Sequence, residues 1–204
     1  GITRHDILNQ IQGLLFYSEE IITGDYTPGE LRKMAEKILA ASETINRQIT
    51  FTRTYENLGA EPAEWQNLGA ILDEIKREAP PAITCIIDVP AIEVFADKLF
   101  SEVFRSICGN IASHAMGATK VVVTFEEREG SGVLIIADDG CGIPAAKKEK
   151  IFVHNPAKPG NSLFLAQEIA GVTGIRLTET GIEGEGAVFE IAIPKAGYRF
   201  MGDQ

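Results

Sequence analysis

Hydrophobic residues at heptad spacing run through the first quarter of the chain. Over residues 2–23 they form two adjacent rows on one face of a predicted helix: Ile7, Leu14, Ile21, Leu8, Leu15 and Ile22. His5 lies on a separate polar row, so we expect its side chain to point to solvent. A second amphipathic helix is predicted over residues 28–57, after the helix-breaking residues 24–29, with Thr27 as its N-cap.

The apolar stripes of these two helices are wider than one partner helix can cover. Two amphipathic helices joined by a short loop form a helical hairpin, and a second copy buries the remaining apolar surface economically. We therefore predict that residues 1–60 form a hairpin that pairs into a four-helix bundle, which makes the protein a homodimer.

Beyond a linker at residues 57–64, the pattern changes to alternating strands and helices. Helices are predicted at residues 68–78, 98–113 and 162–173, and strands near Trp65 and at residues 83–88, 93–96, 120–126, 133–137, 175–180 and 187–193. Residues 140–160 hold Gly, Pro and Lys with little periodicity, which is typical of a mobile loop over a site. The interleaving predicts an α/β sandwich over residues 64–195, and hence an α+β protein.

Composition narrows the choice of partners. A length of 204 residues allows one or two domains, and a net charge of -10 argues against nucleic acid or an anionic membrane, because both are bound through clustered Lys and Arg. The three cysteines are too few and too far apart for a zinc site, and their odd number does not indicate a disulfide framework, so we favour a reducing cytoplasm. No apolar run approaches the roughly 20 residues that span a bilayer, so we expect no direct membrane contact. Because the chain starts at Gly1, we expect a fragment of a longer protein.

The stretch over residues 133–144 is the strongest candidate for chemistry. An apolar run that reads as a buried strand ends in Asp138, and Gly140 and Gly142 follow in a turn. A carboxylate at the mouth of a strand accepts hydrogen bonds, and the glycines let the backbone approach a flat ligand. The pattern therefore suits the exocyclic amine of adenine, although an Asp-rich β-turn without a ligand has the same sequence.

Four stretches in order along the chain resemble the motifs of sensor histidine kinases. Residues 4–9 resemble the phosphoacceptor box, residues 103–114 the N box, residues 138–144 the first glycine box, and residues 184–194 the last glycine box with its closing strand. The resemblance covers nearly the whole chain. It implies an ATP-binding domain of the topoisomerase, chaperone and histidine-kinase superfamily, which follows the dimerisation hairpin.

The resemblance also implies an activity, ligands and partners. It implies a histidine autokinase that uses ATP and Mg²⁺ and passes the phosphoryl group to an aspartate of a response-regulator receiver domain, with an upstream sensor domain outside this fragment. His5, Asp6 and Asn9 would be the catalytic residues. The residues implied to bind ATP are Asn110, His114, Asp138, Gly140, Gly142, Ile143, Gly160, Asn161, Ser162 and Gly186.

The predicted phosphoacceptor chemistry can be argued from the residues. An imidazole that attacks a phosphoryl group must be neutral at the attacking nitrogen, and a carboxylate on the other ring nitrogen fixes that tautomer. Asp6 directly follows His5 and is a candidate for this carboxylate. Asn9 lies one helical turn beyond His5, and the resemblance implies that it orients a water for dephosphorylating the partner. The alternative is that His5 is an ordinary surface histidine of an amphipathic helix.

Asn110 carries the metal prediction. Its amide oxygen is a hard neutral ligand suited to Mg²⁺ on the phosphates, although an Asn within a helix is also often a solvent-facing or capping residue. One turn earlier, Ser106 stands where related ATPases have a Glu that activates water. Because a serine cannot act as that base, phosphoryl transfer to His5 is favoured over an ATP-hydrolysing switch.

Two departures from the family pattern leave an alternative open. The second glycine box is represented only by residues 158–163, in which Lys158 and Ser162 replace glycines, and Ser113 stands where many members have a Lys. Such glycines let backbone amides approach phosphate at a helix N-terminus. The alternative function is therefore a catalytically weak or inactive dimeric signalling scaffold that keeps the ATPase fold.

Overall fold

The chain folds into two compact units that divide between Glu56 and Asn57. The computed structural model describes residues 4–154 and 162–202, and it describes side chains from Ile7 onward. Within these ranges, no helix has both the length and the apolar character needed to cross a membrane.

The first unit contains two long helices, α1 (Arg4–Thr23) and α2 (Pro28–Asn57), which confirm the two predicted helices. A capping box starts α2, because the Glu30 carboxylate accepts from the Thr27 amide at 2.9 Å and from the Thr27 hydroxyl at 2.7 Å. Large apolar side chains remain exposed on both helices: Leu8, Ile11, Leu15, Phe16, Ile22, Leu39 and Ile49.

The second unit interleaves helices with strands, as predicted. Its helices are α3 (Leu68–Glu78), α4 (Phe100–His114), α5 (Ala145–Lys148) and α6 (Ser162–Gly171). Its strands are β1 (Glu64–Asn67), β2 (Thr84–Asp88), β3 (Ile92–Ala96), β4 (Lys120–Arg128), β5 (Ser131–Asp138), β6 (Arg176–Glu179), β7 (Val188–Pro194) and β8 (Tyr198–Phe200).

The strands form one large and one small sheet. The large sheet has the order β2-β4-β5-β7-β6, in which only the β2–β4 pair is parallel, and the small antiparallel sheet has the order β1-β3-β8. Alternate residues of β7 are fully buried, namely Phe189, Ile191 and Ile193, so one face of the large sheet is buried. The apolar faces of α3, α4 and α6 are buried as well, which confirms the predicted α/β sandwich.

Some elements differ from the predictions for local reasons. Helix α4 begins two residues later than predicted, because the buried Asp97 carboxylate accepts from the Leu99 amide at 2.9 Å and holds the chain in a turn before the helix. Strand β8 was not predicted, since its three residues are too few for a pattern. The predicted loop at residues 140–160 contains α5 and a 3₁₀ turn at Lys150–Phe152.

Asp139 ties the end of β5 to the start of β4. Its Oδ1 accepts from the backbone amides of Thr119 and Lys120 at 2.7 and 2.9 Å, and its Oδ2 accepts from the Thr119 hydroxyl at 2.7 Å. The Thr119 hydroxyl, assisted by these two amides, lowers the pKa of Asp139 from 3.8 to about 2. The ionised carboxylate is therefore part of the fold.

We expect the stability contributed by Asp139 to depend on pH. Because folding lowers the pKa of this group, its contribution is fully present above about pH 5 and is lost as the pH falls through 3.8 towards about 2. Asp139→Ala should unfold at a lower urea concentration than the wild type near pH 7, and the difference should narrow near pH 3. Asp73→Ala, at an exposed position on α3, is the matched control. Its urea midpoint should differ less from that of the wild type at both pH values.

Candidate functional site

The candidate site is centred on a buried carboxylate at the end of β5. Asp138 is only 6% exposed, and its Oδ1 accepts from the Gly140 amide at 2.8 Å. Its Oδ2 is buried and accepts no hydrogen bond from the part of the chain that the structure describes. Since an unsatisfied buried carboxylate oxygen is costly, a ligand that donates an N–H there would be favoured.

Glycines occupy the turns next to Asp138 at positions where any side chain would collide. A Cβ on Gly186, at φ 107°, would lie 1.9 Å from the Asp138 carbonyl oxygen. A Cβ on Gly142, at φ 68°, would lie 2.5 Å from the Ile182 carbonyl oxygen, and one on Gly140 would lie 2.8 Å from the Ala115 Cβ. The backbone can pack this closely only because these positions are glycine.

The turn between β6 and β7 packs against the turn after β5. The Asp138 amide donates to the Ala187 carbonyl at 3.0 Å, and the Gly184 amide donates to the Cys141 carbonyl at 2.9 Å. Ile182 and Gly186 form a β-bridge that closes the β6–β7 turn on itself. The residues that resemble the first and last glycine boxes are thus adjacent in space.

The C-terminal end of α4 lies beside the same turn. The Cys141 thiol donates to the His114 carbonyl at 3.5 Å, and the His114 side chain is exposed. Asn110 lies one turn earlier and is half-buried, and its amide makes no side-chain hydrogen bond to the residues that the structure describes. Helix α4 is held in place by its buried apolar face, which includes Phe104 and Ile107. Asn110 thus lies one turn before the end of α4 that contacts Cys141, and its side chain is partly accessible.

The remaining predicted residues are placed as follows. Ile143 is half-buried beside Gly142, and Ser162 is exposed at the start of α6. Gly160, Asn161 and Lys158 lie outside the described residues. His5 and Asp6 belong to α1, but their side chains also lie outside the description, whereas the Asn9 side chain is exposed on the same helix.

Two further charged residues at the site were missed from the sequence. The Glu179 side chain is fully buried at the end of β6, and Lys148 on α5 contacts it. Strand β6 alternates between exposed and buried residues, so the parity of the strand already places Glu179 on the inward side. A charge at an inward position is the signal that would have identified it.

Among the described residues, the chemistry of the site suits a cofactor subsite at Asp138 and a metal ligand at Asn110. The free oxygen of Asp138 and the glycines around it fit a flat ligand with an exocyclic amine, as adenine has. Within residues 7–154 and 162–202, no group of three or more His, Cys, Asp or Glu side chains is placed to hold a metal ion. A cation here would take most of its ligands from phosphate oxygens and water, with Asn110 as the candidate from the protein.

Comparisons with known proteins identify an ATPase family. The family model for histidine kinase-, DNA gyrase B-, and HSP90-like ATPases matches residues 96–197. Sensor histidine kinase DpiB of Escherichia coli (strain K12) is 29% identical over 150 residues, which cover 65% of this chain and 27% of DpiB. The chain therefore spans about a quarter of the length of the curated relative that it matches.

Solved structures share the fold over almost the whole chain. Acinetobacter baumannii histidine kinase AdeS has a TM-score of 0.71 at 18% identity, over 94% of this chain and 98% of that one. Histidine kinase ThkA, in complex with response regulator protein TrrA, has a TM-score of 0.67 at 22% identity, over 94% of this chain and 59% of that one.

Together these findings confirm the fold and the family that the sequence motifs predict. They support a histidine kinase catalytic core, with a helical N-terminal region before a mixed α/β domain. Because the family model spans half of its residues, the chain belongs to the histidine kinase-, DNA gyrase B-, and HSP90-like ATPase family.

Proposed function

We propose that this chain is an ATP-dependent protein histidine kinase, which phosphorylates its own His5 and then an aspartate of a response regulator. The observation that carries the proposal is the buried Asp138 Oδ2, which has no donor among the described residues and lies in a turn of closely packed glycines. The ATPase family match makes ATP the nucleotide to expect at this site.

Recognition of adenine rests on the oxygens of Asp138. A carboxylate offers hydrogen-bond acceptors, so it selects a base that presents an amine. Its Oδ1 already accepts from the Gly140 amide, so Oδ2 is the oxygen that we assign to the amine of the base. We assign Asn110 as the protein ligand of Mg²⁺, which would offset the charge of the phosphates.

The proposed phosphoryl acceptor lies on α1, in the first unit. ATP supplies the γ-phosphoryl group, whose phosphorus bonds to a ring nitrogen of His5 as its bond to the bridging oxygen breaks and ADP leaves. Asp6 would hold the proton on the other ring nitrogen, which keeps the attacking nitrogen unprotonated. Asn9, one turn further along an exposed row of α1, would place the water that later dephosphorylates the regulator.

The response regulator enters the proposal through similarity. The solved structure of ThkA holds the response regulator protein TrrA, and this chain shares its fold over 94% of its length. Sensor histidine kinase DpiB adds a family relative of the same kind. A receiver-domain aspartate is accordingly the proposed second acceptor.

Dimerisation is the last part of the proposal. Leu15 and Ile22 are 58% and 81% exposed in the single chain, and they lie on one row of α1. Large apolar side chains that are exposed to this extent are usually covered by a partner, and a second copy of the hairpin offers a matching face. We propose a four-helix bundle of two chains.

The first expected outcome concerns His5. Incubation with γ-labelled ATP and Mg²⁺ should give acid-labile, base-stable label on the wild type and none on His5→Gln, because glutamine lacks the attacking nitrogen. Nucleotide affinity, measured by calorimetry, should be the same in both. Label that persists in His5→Gln would assign the acceptor elsewhere, and an unlabelled wild type that still binds ATP would favour the inactive signalling scaffold.

Asn9→Ala and Asp6→Asn are the matched controls on the same helix. Asn9→Ala should keep autophosphorylation and lose dephosphorylation of the phosphorylated receiver domain, because only the placement of water is affected. Asp6→Asn should slow autophosphorylation, since a neutral amide supports the attacking imidazole less well. Equal loss of both reactions in Asn9→Ala would mean that Asn9 has a structural role.

A second expected outcome concerns the adenine subsite. Asp138→Asn replaces an acceptor with a group that can present a donor to the amine, so about 1–3 kcal/mol of ATP binding should be lost. Asp88→Asn, an exposed position at the end of β2 with the same charge change, should bind ATP as the wild type does. Calorimetry that finds equal affinity in both variants would place adenine away from Asp138.

A third expected outcome concerns assembly. Light scattering at micromolar concentration should give the wild type a mass twice that of its 22.1 kDa chain. Leu15→Lys should reduce this to a monomer, because it introduces a charge into the proposed bundle core. Gln12→Lys adds the same charge on the polar row of α1 and should remain dimeric. A monomeric wild type would contradict the bundle.

A further inference from the structure

Lys148 and Glu179 form a largely buried ion pair that the proposed chemistry does not use. Lys148 Nζ lies 2.7 Å from Glu179 Oε2, and the two side chains are 21% and 0% exposed. The same Nζ also donates to the Gly181 carbonyl, so the ammonium group contacts two groups of the β6–β7 segment. Burying two charges is costly, so a pair at this position calls for a role.

Glu179 organises the turn that presses on the adenine subsite. Its Oε1 accepts from the Gly181 amide at 2.9 Å and from the Val188 amide at 3.2 Å, and these two residues flank the β6–β7 turn. Gly186, within this turn, packs directly against the Asp138 carbonyl. The buried carboxylate of Glu179 therefore fixes the backbone on which Asp138 rests.

Lys148 connects the same turn to the other side of the subsite. It lies on α5, which begins directly after Pro144 and thus follows the glycine turn of Asp138 in the chain. By contacting both the Gly181 carbonyl and the Glu179 carboxylate, its ammonium group joins α5 to the β6–β7 turn. The turn after Asp138 is therefore fixed at its start by β5 and at its end by α5, which Lys148 attaches to the β6–β7 turn.

We propose that Lys148 and Glu179 are positioning residues, which hold the Asp138 carboxylate in place and so set the preference for adenine over a purine without its exocyclic amine. The inference rests on the proposed function, because it requires adenine at Asp138. Inosine triphosphate carries a carbonyl in place of that amine, so the group at this position can no longer donate a hydrogen bond to the Asp138 carboxylate. Movement of Asp138 should therefore weaken ATP binding while leaving inosine triphosphate binding almost unchanged.

Calorimetric titration of the 204-residue chain with ATP and with inosine triphosphate tests this proposal. In Lys148→Met, the preference for ATP should fall by about tenfold, the order of one charge-assisted hydrogen bond, and affinity for inosine triphosphate should stay within about twofold. Lys147→Met is the matched control, because it removes the same charge at an exposed neighbouring position on α5. The preference of Lys147→Met for ATP over inosine triphosphate should equal that of the wild type.

A second variant keeps the test decisive if Lys148→Met folds poorly with an unpaired buried carboxylate. Lys148→Met/Glu179→Gln removes both charges and retains an acceptor for the Gly181 and Val188 amides. We expect it to fold, by circular dichroism, and to show the same reduced preference for ATP. A folded double variant with the wild-type preference overturns the proposal, and so does an equal loss of affinity for both nucleotides.

Asp138→Asn separates failure of this inference from failure of the proposed function. If the wild type prefers ATP and Asp138→Asn does not, then adenine is recognised at Asp138, and the Lys148 variants alone decide the inference. If the wild type binds both nucleotides equally, adenine is not recognised at Asp138, and the inference fails together with the proposed subsite.

Discussion

The constraint on which the candidate site depends is Asp138 Oδ2, a buried oxygen that accepts no hydrogen bond from the described residues. A buried carboxylate without a donor costs free energy, so the surrounding structure must hold it there. The Gly140 amide holds Oδ1, the Ala187 carbonyl holds the Asp138 amide, and Gly186 packs against the Asp138 carbonyl. The neighbouring Asp139 differs, because both of its carboxylate oxygens accept hydrogen bonds from Thr119 or Lys120. Of these adjacent carboxylates, Asp139 completes the fold, and on the proposed function Asp138 binds the nucleotide.

The local pattern of hydrophobic and polar residues was enough to predict strand β5 and helix α2. The apolar run that ends in Asp138 predicted a buried strand with a carboxylate at its mouth, and β5 ends at Asp138. The helical periodicity of residues 28–57 predicted α2 to the residue, because Pro28 and the capping box formed by Thr27 and Glu30 define its start. These features depend on residues close together in sequence, where spacing alone carries the information.

The features that were not predicted depend on contacts between distant parts of the chain. Lys148 and Glu179 are far apart in sequence, and no periodicity links a four-residue helix to the end of a four-residue strand. Strand β8 has only three residues and is defined by pairing with β3, for example Val94 with Tyr198. Asp97 shifts the start of α4 because its carboxylate is buried and holds the Leu99 amide, and burial of a single polar group is not visible in a hydrophobic pattern.

On the proposed function, the residue one turn before Asn110 explains why bound ATP would last long enough to serve His5. Ser106 is half-buried on α4, and a serine hydroxyl is too weak a base to activate a water at neutral pH. The second unit would then bind and orient ATP without hydrolysing it rapidly, and the nucleophile would have to come from α1. On this proposal, nucleotide binding and phosphoryl acceptance would fall on separate units, and the imidazole of His5 on α1 would supply the nucleophile that α4 lacks.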